Sequence, residues 1–173
     1  MEWDVDFDVV VVGSGNGALT AALCSHDGGA KTLVIEKSDQ FGGTSATSGG
    51  GVWIPNNRYA KAENVDDSDQ DARNYINSVS PEGMIKDELV ETYLAEGPRM
   101  IDYLHENSQV KYRNLAHYPD YFPDNSGGKE GNRSMEPEPI FGTELGDDLR
   151  KLREQHPQTA FTMGPINMNF TQV

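Results

Sequence analysis

The chain has 173 residues, of which 36% are apolar, with a mean hydropathy of −0.63 and a net charge of −14. That length holds one or two small domains. The negative field disfavours nucleic acid and anionic membrane surfaces as partners, and no stretch reaches the length of a membrane span.

Residues 1–7 are acidic and the apolar run after them is short, so no secretion signal is expected. That run, Val9-Val10-Val11-Val12, predicts a strand over 7–12. It leads into Gly13-Ser14-Gly15-Asn16-Gly17-Ala18, a predicted helix over 15–27 and a second strand over 32–36 that ends on Glu36. Strand, glycine turn, helix, strand and acid form the arrangement that holds the ADP half of a dinucleotide. Gly13 permits the tight turn, Gly15 lets the backbone approach a pyrophosphate, and Ala18 is small enough for close helix–strand packing. The helix aims its N–H groups and positive dipole end at the phosphates. Glu36 accepts ribose hydroxyls and repels a 2′-phosphate, which favours FAD or NAD over NADP. Cys24, the single cysteine, lies on this helix, where it is expected to pack. One cysteine precludes an internal disulfide and fits a reducing compartment, the cytoplasm.

Residues 41–57 form a second glycine cluster, Phe-Gly-Gly-Thr-Ser-Ala-Thr-Ser-Gly-Gly-Gly-Val-Trp-Ile-Pro-Asn-Asn. Its small residues let backbone run close to a long cofactor, and its hydroxyls suit phosphate and ribitol oxygens. An acidic linker follows, densest from Glu63 to Asp71 and read as a solvated face. Ala72, Tyr75, Ile76 and Val79 predict a helix over 68–79, capped by Asp67 or Ser68. A further helical stretch covers 86–106, and Gly97-Pro98 is expected to divide it. Its tyrosines and methionines are read as core. Residues 115–142 are read as loop and 145–155 as a short helix, while Thr159–Val173 has no clear period. His26, His105, His117 and His156 share no ligand spacing, so no metal site emerges. His117 is read as a surface residue. Arg133 suits a carboxylate or a phosphate.

Gly13-Ser14-Gly15, Glu36-Lys37, Phe41-Gly42-Gly43-Thr44 and Ser48-Gly49-Gly50-Gly51-Val52-Trp53-Ile54-Pro55-Asn56-Asn57 resemble the N-terminal part of the 3-ketosteroid dehydrogenases. Those belong to the fumarate reductase flavoprotein group. Tyr118-Pro119-Asp120-Tyr121-Phe122-Pro123, Gly127-Gly128-Lys129 and Gly131-Asn132-Arg133-Ser134-Met135-Glu136-Pro137 are similar to the same branch. The likeness runs from about residue 8 to about 155.

The resemblance implies an α/β fold: a Rossmann-like FAD-binding start over 1–60, including the second glycine cluster, then a helical and loop-rich segment over 61–173 leading to a substrate domain. It implies non-covalently bound FAD, held by Gly13, Ser14, Gly15, Ala18, Glu36, Lys37, Gly43, Thr44, Ser48, Gly49 and Gly50. It implies 1,2-desaturation of ring A of a 3-ketosteroid or another apolar ketone, with hydride to flavin N5, a proton to a tyrosine base and an external electron acceptor. Tyr121 matches the tyrosine that supports that base. A phenol, with pKa about 10, needs hydrogen-bonded neighbours or a charged flavin nearby to act as a base near neutral pH.

The base tyrosine, the ketone-gripping tyrosine and glycine, and the late Gly-Asp strand fall downstream in the family and have no counterpart in these 173 residues. The low apolar content, with 18 glycines and 9 prolines, fits a piece whose core is completed elsewhere. The chain is either a fragment or truncated product, or a second polypeptide supplies the rest. Two other readings stay open: a fumarate reductase-like enzyme acting on a small dicarboxylate, and a non-catalytic nucleotide-binding module or subunit.

Overall fold

The computed structural model describes residues 5–154. The expectation for Thr159–Val173 lies outside them. The described residues fall into two compact units, those of Met1–Gly49 with Ile140–Val173 and those of Gly50–Pro139.

In the first unit, β1 (Val9–Val12) and β2 (Thr32–Ile35) flank α1 (Asn16–Asp27). The β-branched run makes β1, which pairs in parallel with β2, Val9 opposite Thr32 and Val12 opposite Ile35. This is the expected βαβ start, with α1 returning the chain so that β2 lies beside β1. Val9 and Val11 are half-buried, whereas Val10 and Val12 are exposed. An unbroken valine run is the pattern of a strand covered on both faces, and the described residues cover one. α1 stops at Gly28, and Gly29 (φ +87°) donates its N–H to the His26 carbonyl at 2.9 Å. Cys24 is exposed rather than packed, because it lies on the outer side of α1. The helix expected over 145–155 is instead a 3₁₀ segment, Gly142–Lys151, interrupted at Gly146 (φ 54°, ψ −129°). Two glycines within five residues deny a regular α-helix its continuity. Its end returns to the glycine cluster, where the Phe41 N–H donates to the Lys151 carbonyl at 2.8 Å.

The second unit carries a three-stranded antiparallel sheet in the order β3 (Val52–Trp53), β5 (Ser134–Pro137), β4 (Tyr112–Asn114). β5 lies inside the stretch expected to be all loop. At two to four residues, these strands are too short to show an alternating pattern. Met135 of β5 faces Val52 on one side and Asn114 on the other. It is fully buried with Ile54 and Ile101 in one core cluster. α2 (Arg58–Ala62), which the sequence reading missed, is capped by the buried Asn57, whose side chain accepts the N–H groups of Tyr59 and Ala60. α3 (Asp69–Val79) forms as expected, with Ser68 as its cap.

α4 (Asp87–Asn107) passes through Gly97-Pro98 unbroken, against expectation. An interior proline costs about 3 kcal/mol. Buried Val90 and Leu94 before it and Ile101 and Leu104 after it hold both halves on one line. Gly97 lets the helix approach Ile54 so closely that an added Cβ would lie 3.2 Å from its Cδ1. The expected tyrosine–methionine core does not form. Leu94, Ile101 and Leu104 are buried, whereas Met100 and Tyr93 are exposed, Tyr93 stacking on Trp53, and Tyr103 is half-buried.

Candidate functional site

β1 ends at Gly13, which turns with φ +94°, a left-handed conformation that favours glycine, and donates its N–H to the Ile35 carbonyl at 2.7 Å. Ser14 is buried, and its hydroxyl is the junction of the site. Oγ donates to Glu36 Oε2 at 2.5 Å and accepts the Gly42 N–H at 2.9 Å. One oxygen thus ties the glycine turn to the end of β2 and to the second glycine cluster. Gly15 is the N-cap of α1, and the first turn of the helix holds no acidic side chain. Ala18, in that turn, is half-buried.

The second cluster folds back onto the start of α1. Ser45 Oγ accepts the Asn16 N–H at 3.0 Å, and a Cβ on Gly15 would lie 3.3 Å from the same oxygen. Gly42 is buried with φ +103°, and a Cβ there would meet Ala46 Cβ at 2.7 Å. Gly43 (φ +53°) and the exposed Thr44 follow, and Thr44 offers its carbonyl to Thr47. Ser48 is exposed, Gly49 buried and Lys37 exposed. Gly50 (φ +71°) falls in the second unit, where a Cβ would crowd Pro137. Ser45 and Gly42 belong with the candidate residues, and the sequence reading missed them as individuals. A Gly-Gly-Thr-Ser run does not reveal which hydroxyl turns toward the helix.

Glu36 accepts Ser14 Oγ through one carboxylate oxygen and the Ser38 N–H through the other, at 3.1 Å. The Ser14 hydrogen bond, and then the Ser38 N–H, hold its carboxyl below the usual carboxylate range. A carboxylate offers about four lone-pair positions, so acceptor capacity remains for a ribose diol. This donor and acceptor set suits the adenosine half of a dinucleotide. The anionic acid stands at the strand end, the side-chain-free turn precedes a helix N-terminus, and a second segment is pinned beside it.

The second unit holds an apolar cleft of about 320 Å³ lined by Trp53, Tyr75, Ile76, Tyr118, Tyr121 and Phe122, among others. Tyr121 is 84% exposed. Beneath the cleft lies a buried ion cluster. Arg133 binds Asp67 through Nη2 at 2.7 Å and Nε at 3.1 Å, and Asp120 through Nη1 at 2.9 Å. Of the two roles that the sequence left open for Arg133, this is the carboxylate one. Its guanidinium also lies 5.6 Å from the Trp53 ring centre and 5.8 Å from that of Tyr75. His117 is exposed. Among the described residues, no group of His, Cys, Asp and Glu is arranged to hold a metal, and no helix is long and apolar enough to cross a membrane.

Fold and site together define a dinucleotide-binding α/β protein. The chain belongs to the family described as the FAD binding domain, whose model matches residues 8–169, and FAD is its cofactor. It is 37% identical over 168 residues to a 3-oxosteroid 1-dehydrogenase of Mycolicibacterium smegmatis, matching 97% of this chain and 29% of that enzyme. It is also 37% identical over 157 residues to a 4-oxocyclohexanecarboxylate 2-dehydrogenase of Sinomonas cyclohexanicum, matching 91% and 27% respectively. Among solved structures, it superposes on a 3-ketosteroid Δ1-dehydrogenase of Sterolibacterium denitrificans in complex with 1,4-androstadiene-3,17-dione. There the TM-score is 0.81 and the identity 41%, covering 88% of this chain and 27% of that one. The chain therefore spans less than a third of the length of these relatives.

Proposed function

We propose that this chain is the FAD-holding N-terminal part of a flavoenzyme that dehydrogenates a 3-ketosteroid between C1 and C2. The observation that carries the reading is the Ser14 junction, which joins the glycine turn, Glu36 and the second glycine cluster at one oxygen. A plain nucleotide turn has no need of the third partner. The likeness to steroid-processing relatives supports the substrate class.

Bound FAD supplies the hydride acceptor. The chain's own residues do the rest of what falls to this part. Gly13, Ser14, Gly15 and Ala18 form the pyrophosphate turn. Glu36 meets the ribose, and Lys37 lies beside it. Gly43, Thr44, Ser48, Gly49 and Gly50 line the way toward the flavin. Tyr121 stands at the apolar cleft and offers a phenol that supports a base tyrosine outside this chain. An apolar ring system suits the cleft, whose surface is mostly aromatic carbon with few polar groups. A monocyclic oxo acid is a second reading, favoured by the likeness to the 4-oxocyclohexanecarboxylate enzyme.

The test is an anaerobic visible spectrum of the flavin-loaded protein, titrated in parallel with a 3-ketosteroid, 4-oxocyclohexanecarboxylate and succinate. Bleaching of the flavin band by the steroid alone is the expected result. Bleaching by the monocyclic acid alone moves the substrate to the second reading, and bleaching by succinate alone points to a dicarboxylate enzyme. A stable protein that binds ADP and holds no reducible flavin would make this chain a nucleotide-binding module. In the enzyme completed by its downstream part, Tyr121→Phe is expected to lower turnover by about 10- to 100-fold with flavin content retained. Unchanged turnover removes the catalytic role of Tyr121.

A further inference from the structure

We propose that Arg133 is a positioning residue, and that the buried Asp67–Arg133–Asp120 ion triad fixes the loop that presents Tyr121. The proposal rests on the reading of Tyr121 given above.

Among the described residues, packing gives Tyr121 little orientation, because 84% of its surface is exposed. Its neighbours in the chain are held instead. Asp120 is buried, and its two carboxylate oxygens and its backbone N–H are engaged. Oδ1 accepts the Trp53 indole N–H at 2.6 Å, and Oδ2 accepts Arg133 Nη1 at 2.9 Å and the Lys129 N–H at 3.0 Å. Its backbone N–H donates to the Lys129 carbonyl at 2.9 Å. On the far side of Tyr121, the Phe122 N–H donates to the Tyr75 hydroxyl at 3.3 Å. The loop is thus pinned immediately before and after the tyrosine, and the pin before it runs through Arg133.

The guanidinium is itself locked by Asp67, at the entrance to α3. Asp67 Oδ2 also takes the Asn56 N–H at 3.0 Å, and Oδ1 takes the Ser68 N–H at 2.9 Å. The side chains of Arg133, Asp67 and Asp120 are only 1%, 4% and 2% exposed. Two buried carboxylates sharing one cation are costly to desolvate, and well-packed apolar residues commonly match such clusters in stability. What the triad adds is direction. Its bidentate contact and three further hydrogen bonds set where Asp120 sits, and so where the next residue points.

The test is a double-mutant cycle in the completed enzyme, with Trp53 emission followed in the 173-residue chain carrying Trp3→Phe. Asp120→Asn is expected to lower kcat by about tenfold or more with KM little changed. Combining it with Tyr121→Phe should cost no more than Tyr121→Phe alone, because both act on one hydroxyl. Trp53 emission should shift to the red and be quenched more readily by acrylamide. Where Asp120→Asn does not fold, Arg133→Lys, which keeps the charge but not the fork, should give the same pattern more weakly. Losses that multiply in the double variant would overturn action through Tyr121. Unshifted Trp53 emission would overturn the hold on the loop. Wild-type turnover in Tyr121→Phe would instead retire the reading of that tyrosine, while the emission still reports on the loop.

Discussion

Ser14→Ala removes one oxygen from which two parts of the cofactor site hang. The hydroxyl donates to Glu36 and accepts from Gly42. Glu36 is partly open to water, which replaces much of the lost donor. Losing the acceptor strands the N–H of buried Gly42, at about 1–3 kcal/mol. If all of it is expressed in cofactor binding, the FAD Kd rises by about 5- to 150-fold. The substitution also removes the main cause of the depressed Glu36 pKa. The mutant carboxyl therefore loses its charge at a higher pH than the wild type, and the acid limit of FAD retention moves up. The assay is a titration of FAD by quenching of its fluorescence at several pH values, beside urea unfolding of the flavin-free chain. Binding within threefold of the wild type, with an unshifted acid limit, would refute the reasoning.

Three further outcomes follow from other parts of the chain. Arg133→Met strands two buried carboxylates and should destabilise the chain by about 3–5 kcal/mol, lowering the melting temperature by on the order of 10 °C. Adding Asp67→Asn and Asp120→Asn should recover much of this, and a thermal melt of both variants checks it. Gly42→Ala puts a Cβ 2.7 Å from Ala46 Cβ at φ +103°, so FAD binding should weaken more than in Gly43→Ala, where the added atom meets nothing within 4 Å; parallel FAD titrations compare them. The Tyr59 hydroxyl accepts the Tyr112 N–H at 2.9 Å and lies at hydrogen-bond distance, 2.8 Å, from His105 Nδ1. Burial, then Arg58 and Lys111, lower the His105 pKa below its ordinary value. The neutral form is the folded one, so this contribution is complete above about pH 6.5 and is lost as pH falls through the lowered value. Arg58→Gln, which removes one of these causes, should lessen that acid loss of stability in a series of thermal melts across pH.

The cofactor start was legible because its requirements are local. A valine run, a glycine turn and an acid at the next strand end each act within a few residues, and the pairing Val9–Thr32 follows once α1 returns the chain. The sequence offered Asp67 or Ser68 as the cap of α3, and Ser68 is the one that forms it. What the sequence could not give was set by contacts far apart in the chain. Pro98 stays inside α4 because Ile54 and the buried residues on either side outweigh a local penalty. β5 exists because Met135 is flanked by strands 83 and 21 residues away, at Val52 and Asn114. Ser14 was named for its place in a motif, and only folding brought Gly42 to its oxygen. Arg133 could have met any anion; tertiary structure chose Asp67 and Asp120, because a buried guanidinium must find carboxylates when water is excluded. The sequence by itself determined which cofactor the chain is built to hold, and tertiary structure decided which side chains stand fixed around it.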